Sequence, residues 1–360
     1  MPASPVTPVL VLTGFLGSGK TTLLNRLLTD PAAADTAVIV NEFGPVAIDH
    51  ALVRTASENI VLLPSGCVCC RVAGDLVQAL RDLHFKRAAG EVPAFARAVV
   101  ETTGLADPAP LLRTLVELPL VAARYSLAGI VTTVDGEHGL AQLETQPESV
   151  KQAAMADRIV ITKSDRASAA TLDALEARLA ALNPGAPRRR SAQGDVPADW
   201  LLDVGLTRAG GRLADPRRWL NAGAYAPMGA GASVHDPRIR ASCWTHDAPL
   251  ARADLEDALG TLLEVAGDRI LRLKGLAHVA GTPGPVALHA VHHTLYPMAA
   301  LPAWPDAERG TRLVVTPAQV RTGVAGNTGV IRRFPSSKYR LFYSSNTQTY
   351  QEGDLPPSTP

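Results

Sequence analysis

A chain of 360 residues, 46% hydrophobic and only 4% aromatic, holds enough apolar material for two packed cores built mainly from Leu, Val and Ala. Its formal net charge of +1 gives no global attraction to nucleic acid or to an anionic membrane, so neither is expected as a partner. No stretch approaches the roughly 20 apolar residues of a transmembrane helix, and the apolar run near the start is too short for a secretory leader, so a cytoplasmic protein is expected.

In chain order, the first strong signal is an apolar strand, Val9-Leu10-Val11-Leu12, that enters a glycine-rich turn and then a helix. The turn carries Gly14, four residues, then Gly19-Lys20-Thr21-Thr22, the spacing of a phosphate-binding loop. Gly14, Gly17 and Gly19 let backbone N–H groups, with those of Ser18 and Thr22, curl around phosphate oxygens. Lys20 is placed to neutralise the β- and γ-phosphates, and the Thr21 hydroxyl to ligate Mg²⁺. Leu23, Leu24, Leu27 and Leu28 give the helix one apolar face, and its amino terminus points a positive dipole end at the anion.

A β-branched run, Thr36-Ala37-Val38-Ile39-Val40, reads as a buried parallel strand ending in Asn41-Glu42-Phe43-Gly44. Glu42 then falls where open α/β sheets bind ligands, within reach of Mg²⁺ or the γ-phosphate. A strand from Ile60 leads into Gly66-Cys67-Val68-Cys69-Cys70, followed by a helical pattern over 75–89. Thiolates at this spacing can present two or three sulfurs to one Zn²⁺, Co²⁺ or Cu⁺ ion; buried gap-filling cysteines and a redox switch are the other readings of the residues alone.

Ala98-Val99-Val100 ends at Glu101-Thr102-Thr103-Gly104, where a carboxylate can meet the Mg²⁺ shell and the Gly104 amide the γ-phosphate. Leu105-Ala106-Asp107-Pro108 opens a further helix. Two more strands end at Asp135 and at Thr162-Lys163-Ser164-Asp165. In the last, Asp165 can accept from the guanine N1–H and amino group while the Lys163 stem covers the base; Thr162 stands where Asn is usual. The run Arg188-Arg189-Arg190 reads as a solvated patch or a loop at the nucleotide edge.

Strands and helices alternate from Pro8 to about Asn183, which predicts an α/β fold with a doubly wound, mainly parallel sheet over 1–220. Gly, Ala and Pro dominate a linker over 221–236. Strands over 238–245, 269–274, 286–295 and 311–315, with a helix over 255–265, predict a smaller α+β domain over 237–322, and the tail 323–360 is expected to be partly disordered. Alternation along 286–295 puts His289 and His293 on one strand face, either as surface and hydrogen-bonded groups or as a metal pair.

Taken together, Gly14 to Thr22, Asn41-Glu42-Phe43-Gly44, Gly66-Cys67-Val68-Cys69-Cys70, Glu101 to Pro108 and Thr162 to Asp165 resemble the CobW-like (cobalamin-synthesis-protein-like) GTPases that serve as metallochaperones, and Ile270 to Gly275 is similar to their C-terminal domain. The resemblance implies a P-loop fold and a GTPase that needs GTP and Mg²⁺. It also implies a transition metal, Zn²⁺ or Co²⁺, carried on Cys67, Cys69 and Cys70 to a client metalloprotein by a monomer or homodimer. Lys20, Thr21, Glu101 and Gly104 would be its hydrolytic residues. Pro45 stands where many members carry an acid, and His235 is the one histidine in the 221–236 stretch. With no evident arginine finger in the chain, slow intrinsic hydrolysis is expected. The alternatives are a nucleotide-responsive metal buffer or regulator, and an ATP-using phosphoryl transferase.

Overall fold

A computed structural model describes residues 6–40, 60–62, 71–205, 215–227, 241–317, 330–331 and 343–344. Glu42, Cys67, Cys69 and Cys70 lie outside the described residues. Strands β1 (Thr7–Gly14), β2 (Thr36–Val40), β3 (Ile60–Leu62), β4 (Arg97–Glu101), β5 (Tyr125–Asp135), β6 (Arg158–Thr162) and β7 (Arg188–Arg190) form one parallel sheet in the order β3-β2-β4-β1-β5-β6-β7. Every residue of β1 and β2 is buried, which explains their unbroken apolar runs. Alternate residues of β1 go to opposite faces: Val9 and Val11 join one core cluster, Leu10 and Leu12 the other.

Helix α1 (Lys20–Leu28) buries the four leucines read from the sequence against the Leu10 face, each contributing roughly 1.5–3 kcal/mol. On the Val9 face lie α2 (Arg71–Ala89), α3 (Ala109–Glu117), α4 (Pro119–Ala122), α5 (Gly139–Thr145), α6 (Pro147–Met155) and α7 (Ala169–Leu182). With a core on each face, the sheet is doubly wound. In register, β1 matches Leu12 to Glu101 of β4 and Gly14 to Thr133 of β5, and β5 matches Asp135 to Thr162 of β6. The carboxyl ends of the four central strands therefore meet at one edge.

After α8 (Ala198–Leu202) and α9 (Pro216–Leu220) comes a second sheet of β8 (Ala226–Pro227), β9 (Ser242–His246), β10 (Ile270–Ala277), β11 (Val286–Val291), β12 (Thr294–Leu295), β13 (Ala299–Ala300) and β14 (Thr311–Pro317). Its order is β12-β11-β10-β14-β9-β8, with β13 also on β11. Helix α10 (Arg252–Ala266) covers it through Leu255, Leu259, Leu262 and Leu263. Farther along, Val330–Ile331 pairs with Tyr343–Ser344.

The two sheets share an interface. Leu271, Val291 and Tyr296 of the second pack into the core of the first. The Tyr296 hydroxyl donates to the Leu112 carbonyl at 2.8 Å, and Thr294 Oγ1 donates to Glu117 Oε1 at 2.7 Å. Asp157, buried between them, accepts from Arg272 and Lys274. Burial alone would raise its carboxyl, but those two cations hold it well below the carboxylate range. Burial and the adjacent Arg272 push Lys274 down to about 8, against the pull of Asp157.

His289 stacks on Tyr296 with ring centroids 4.6 Å apart and accepts from Arg272 Nε at 3.2 Å, so it is neutral in the fold. Burial, then Arg272 and Lys274, depress it well below its ordinary 6.5, against Asp157. The unfolded chain accepts a proton that the folded one refuses, so stability is complete above about pH 6.5 and falls below it by up to about 1.4 kcal/mol per pH unit. Melting temperature is expected to drop between pH 7 and 5 with a shallower slope in His289→Gln; the slope is not abolished, because burial also lowers His84 and His292.

Four expectations are corrected in detail. Helix α2 starts at Arg71 rather than 75, with Gly74 inside it. The arginine run is not a loop but the edge strand β7, matched to Ile159, Val160 and Ile161. Charges suit an exposed edge: Arg190 reaches Glu176 at 2.8 Å, Arg188 caps the Asn183 and Ala186 carbonyls, and Arg189 lies over Trp200. The strand expected over 286–295 breaks at Val291 into a hairpin, with His292 at φ 48°. His289 consequently faces Arg272 while His293 faces Asp268 at 3.0 Å, and they do not form a metal pair. Finally, the 221–236 stretch is built at its start: Ala222–Ala224 forms a 3₁₀ turn, Ala226–Pro227 pairs with β9, and Ala222 and Tyr225, next to Trp219 of α9, pack on the second sheet.

Candidate functional site

The turn after β1 takes the shape that its glycines allow. Gly14, at φ 145°, touches β5 so closely that a Cβ would lie 2.4 Å from the Thr133 carbonyl oxygen, and Gly19, at φ 84°, is the left-handed cap of α1. Side-chain hydroxyls then lock the turn to neighbouring strand ends. Ser18 Oγ bonds Thr133 Oγ1 at 2.6 Å, and Thr162 Oγ1 donates to the Ser18 carbonyl at 2.7 Å. Lys20 Nζ donates to the carbonyls of Gly14 at 2.9 Å and Phe15 at 3.2 Å, which brings its charge back over the loop.

Glu101, at the end of β4 and 4% exposed, accepts from Thr21 Oγ1 at 2.9 Å. A buried carboxylate and a hydroxyl beside a phosphate loop are the hard oxygen donors that Mg²⁺ takes, so these residues fit the ion. Beyond Glu101 the chain stays against the loop. Thr102 N–H donates to the Leu12 carbonyl at 2.9 Å and Thr102 Oγ1 to Thr13 Oγ1 at 2.8 Å. Gly104 is buried, and a Cβ there would lie 2.6 Å from the Leu16 backbone nitrogen.

On the other side, Lys163 adopts a left-handed φ of 51° and donates to Asp135 Oδ2 at 2.7 Å. Burial raises the Asp135 carboxyl, but Lys163 and the amides of His138 and Glu137 outweigh it and leave it lowered, hence ionised. Asp165 sits exposed in the following turn, open to a ligand. Thr162, the departure from Asn, supplies through its hydroxyl a direct tie between this loop and the phosphate loop.

Of the residues read from the sequence, Gly14, Gly17, Ser18, Gly19, Lys20, Thr21, Thr22, Glu101, Gly104, Thr162, Lys163 and Asp165 gather along one edge of the sheet. Glu42 and the three cysteines fall outside the described residues, and among the described residues no group of three or more His, Cys, Asp or Glu could hold a metal. Sequence reasoning missed Thr133 and Gln152: Thr133 was one more β-branched residue in a strand, and Gln152 one polar residue in a helix.

The profile of the CobW/HypB/UreG nucleotide-binding domain matches residues 8–189, and that of the cobalamin synthesis protein CobW C-terminal domain matches 239–322. The chain belongs to the CobW family of P-loop GTPases. Among CobW relatives, the zinc chaperone YjiA of Escherichia coli is 33% identical over 284 residues, 79% of this chain and 85% of that protein. The zinc chaperone CobW of Pseudomonas aeruginosa is 28% identical, covering 86% of each chain. The crystal structure of Zn(II)-bound YjiA GTPase from E. coli superposes with a TM-score of 0.62 at 25% identity, covering 88% of this chain and 96% of that one. This CobW-family chain thus carries the expected P-loop fold and the expected C-terminal domain, and no helix among the described residues is long and apolar enough to cross a membrane.

Proposed function

We propose that this CobW-family GTPase is a cytoplasmic metallochaperone that loads Zn²⁺ or Co²⁺ on Cys67, Cys69 and Cys70 and hands it to a client metalloprotein, with GTP hydrolysis as the release step. The observation that carries the nucleotide half is the Thr21–Glu101 contact at 2.9 Å beside Lys20. Amides of 14–22 would line the phosphates, Thr21, Glu101 and Glu42 would hold Mg²⁺, and Gly104 would read the γ-phosphate. Held by these residues, Mg²⁺ would supply charge neutralisation at the phosphates. Relatives named zinc chaperones favour zinc over cobalt as cargo, and soft thiolates suit either ion. In this reading 1–220 serves nucleotide and metal and 237–322 is the C-terminal unit, with Trp219 to Pro227 packed on the second sheet.

Guanine selection falls to Asp165, exposed in the turn that follows Thr162 and Lys163. Asp165→Ala is expected to weaken GTP binding by about 100-fold through two lost charge-assisted hydrogen bonds, with ATP binding unchanged. Competition of ATP against GTP checks this. An ATP preference in the wild-type chain would instead favour a phosphoryl transferase.

A further inference from the structure

Both peptide planes that flank Gly104 are pinned. The Thr103 carbonyl, which shares a plane with the Gly104 amide, accepts from Ala106 N–H at 3.1 Å and from Thr102 Oγ1 at 3.3 Å. The Gly104 carbonyl accepts from Gln152 Nε2 at 3.2 Å, and the same nitrogen donates to the Ala106 carbonyl at 2.9 Å. Two carbonyls on one side settle which end of that amide is the nitrogen. With Leu16 against its Cα, Gly104 is held between the phosphate loop on one side and Gln152 on the other.

Gln152 is fully buried in α6, and its Oε1 has no hydrogen-bond donor among the described residues. A core position that only needed filling would take Leu or Met and leave no unsatisfied oxygen. The helix that carries Gln152 is itself anchored at both ends of its contact. Lys151 Nζ meets Asp107 Oδ2 at 3.0 Å, three residues past Gly104. At its carboxyl end, Asn183 Nδ2 donates to the carbonyls of Ala153, Ala154 and Ala156, and Arg272 of the second sheet donates to that of Met155.

We propose that Gln152 is a positioning residue for GTP hydrolysis: by holding the Gly104 and Ala106 carbonyls it sets the direction of the Gly104 amide toward the γ-phosphate. This rests on the reading of Gly104 given under Proposed function. Because α6 is also seated on Arg272, the position of Gln152 is referenced to the C-terminal sheet as well as to the nucleotide-binding one.

The test is steady-state GTP hydrolysis by the full chain carrying Gln152→Met, which keeps the volume and removes both donors. Turnover is expected to fall roughly 10- to 100-fold, the scale of a misplaced catalytic group. KM for GTP and affinity for GDP, which lacks the γ-phosphate, should stay within about twofold. Turnover within about twofold of the unsubstituted chain overturns the proposal, and so does a parallel loss of turnover and GDP affinity, the mark of a purely structural role. Should Gln152→Met fail to fold, Gln152→Asn carries the same measurement, since it keeps a buried amide but draws it back from both carbonyls. An unsubstituted chain that does not hydrolyse GTP would overturn the functional reading itself; an active one with an unaffected Gln152→Met overturns only this inference.

Discussion

Gly104→Ala is expected to lower GTP turnover by about 100-fold, the cost of misplacing groups around a reacting centre by about an ångström. A Cβ at Gly104 would stand 2.6 Å from the backbone nitrogen of Leu16 and 2.7 Å from its Cα. The Leu16 side chain could swing aside, but its backbone belongs to the loop that wraps the phosphates. Either that loop or the 102–108 segment must shift, and Gln152 and Thr102 hold the segment in place. Because Leu16 lies within the phosphate loop, GDP affinity is expected to fall as well, which separates this variant from Gln152→Met. Near-normal turnover would mean that Gly104 is not read by the nucleotide.

The second large effect is expected at Lys20. Lys20 is the first residue of α1 and 9% exposed, and its ammonium bonds two loop carbonyls. A cation at a helix amino terminus is disfavoured by the helix dipole, and in the proposed site a bound phosphate would offset that cost. Lys20→Ala is expected to cut kcat/KM for GTP by about 100- to 1000-fold, as loss of one main electrostatic stabiliser does elsewhere. Leu23, Leu24, Leu27 and Leu28 remain to hold the helix on the sheet, so the far-ultraviolet circular dichroism should be unchanged. A kcat/KM for GTP within about twofold of the unsubstituted chain would refute the assignment.

The parts of this fold that were legible in the sequence are those encoded within a short window. Buried parallel strands announce themselves as apolar β-branched runs, and the phosphate loop as glycine and lysine at fixed offsets. That is why Glu101, Gly104, Thr162 and Asp165 could be placed at strand ends before their partners were known. What escaped depends on contacts distant in sequence. The Gln152–Gly104 bond spans 48 residues and the Arg272–Asp157 pair 115, and no local pattern marks either. The arginine run is solvated, as its charge suggests, but nothing local in it marks that it pairs with Ile159, Val160 and Ile161 as the edge strand β7. The hairpin at His292 escaped because no glycine, asparagine or proline marks the turn.

The proposed cycle couples two sites: nucleotide on Lys20 and Thr21, and metal on Cys67, Cys69 and Cys70. Linkage requires that GTP strengthen metal binding by the same factor that metal strengthens GTP binding. The most direct measurement is zinc affinity of the full chain by competition with a chelator, taken with a non-hydrolysable GTP analogue, with GDP and without nucleotide. Binding about 10-fold tighter with the analogue than with GDP, lost in Cys67→Ala, is the expected result. Equal zinc affinity in all three conditions would contradict it.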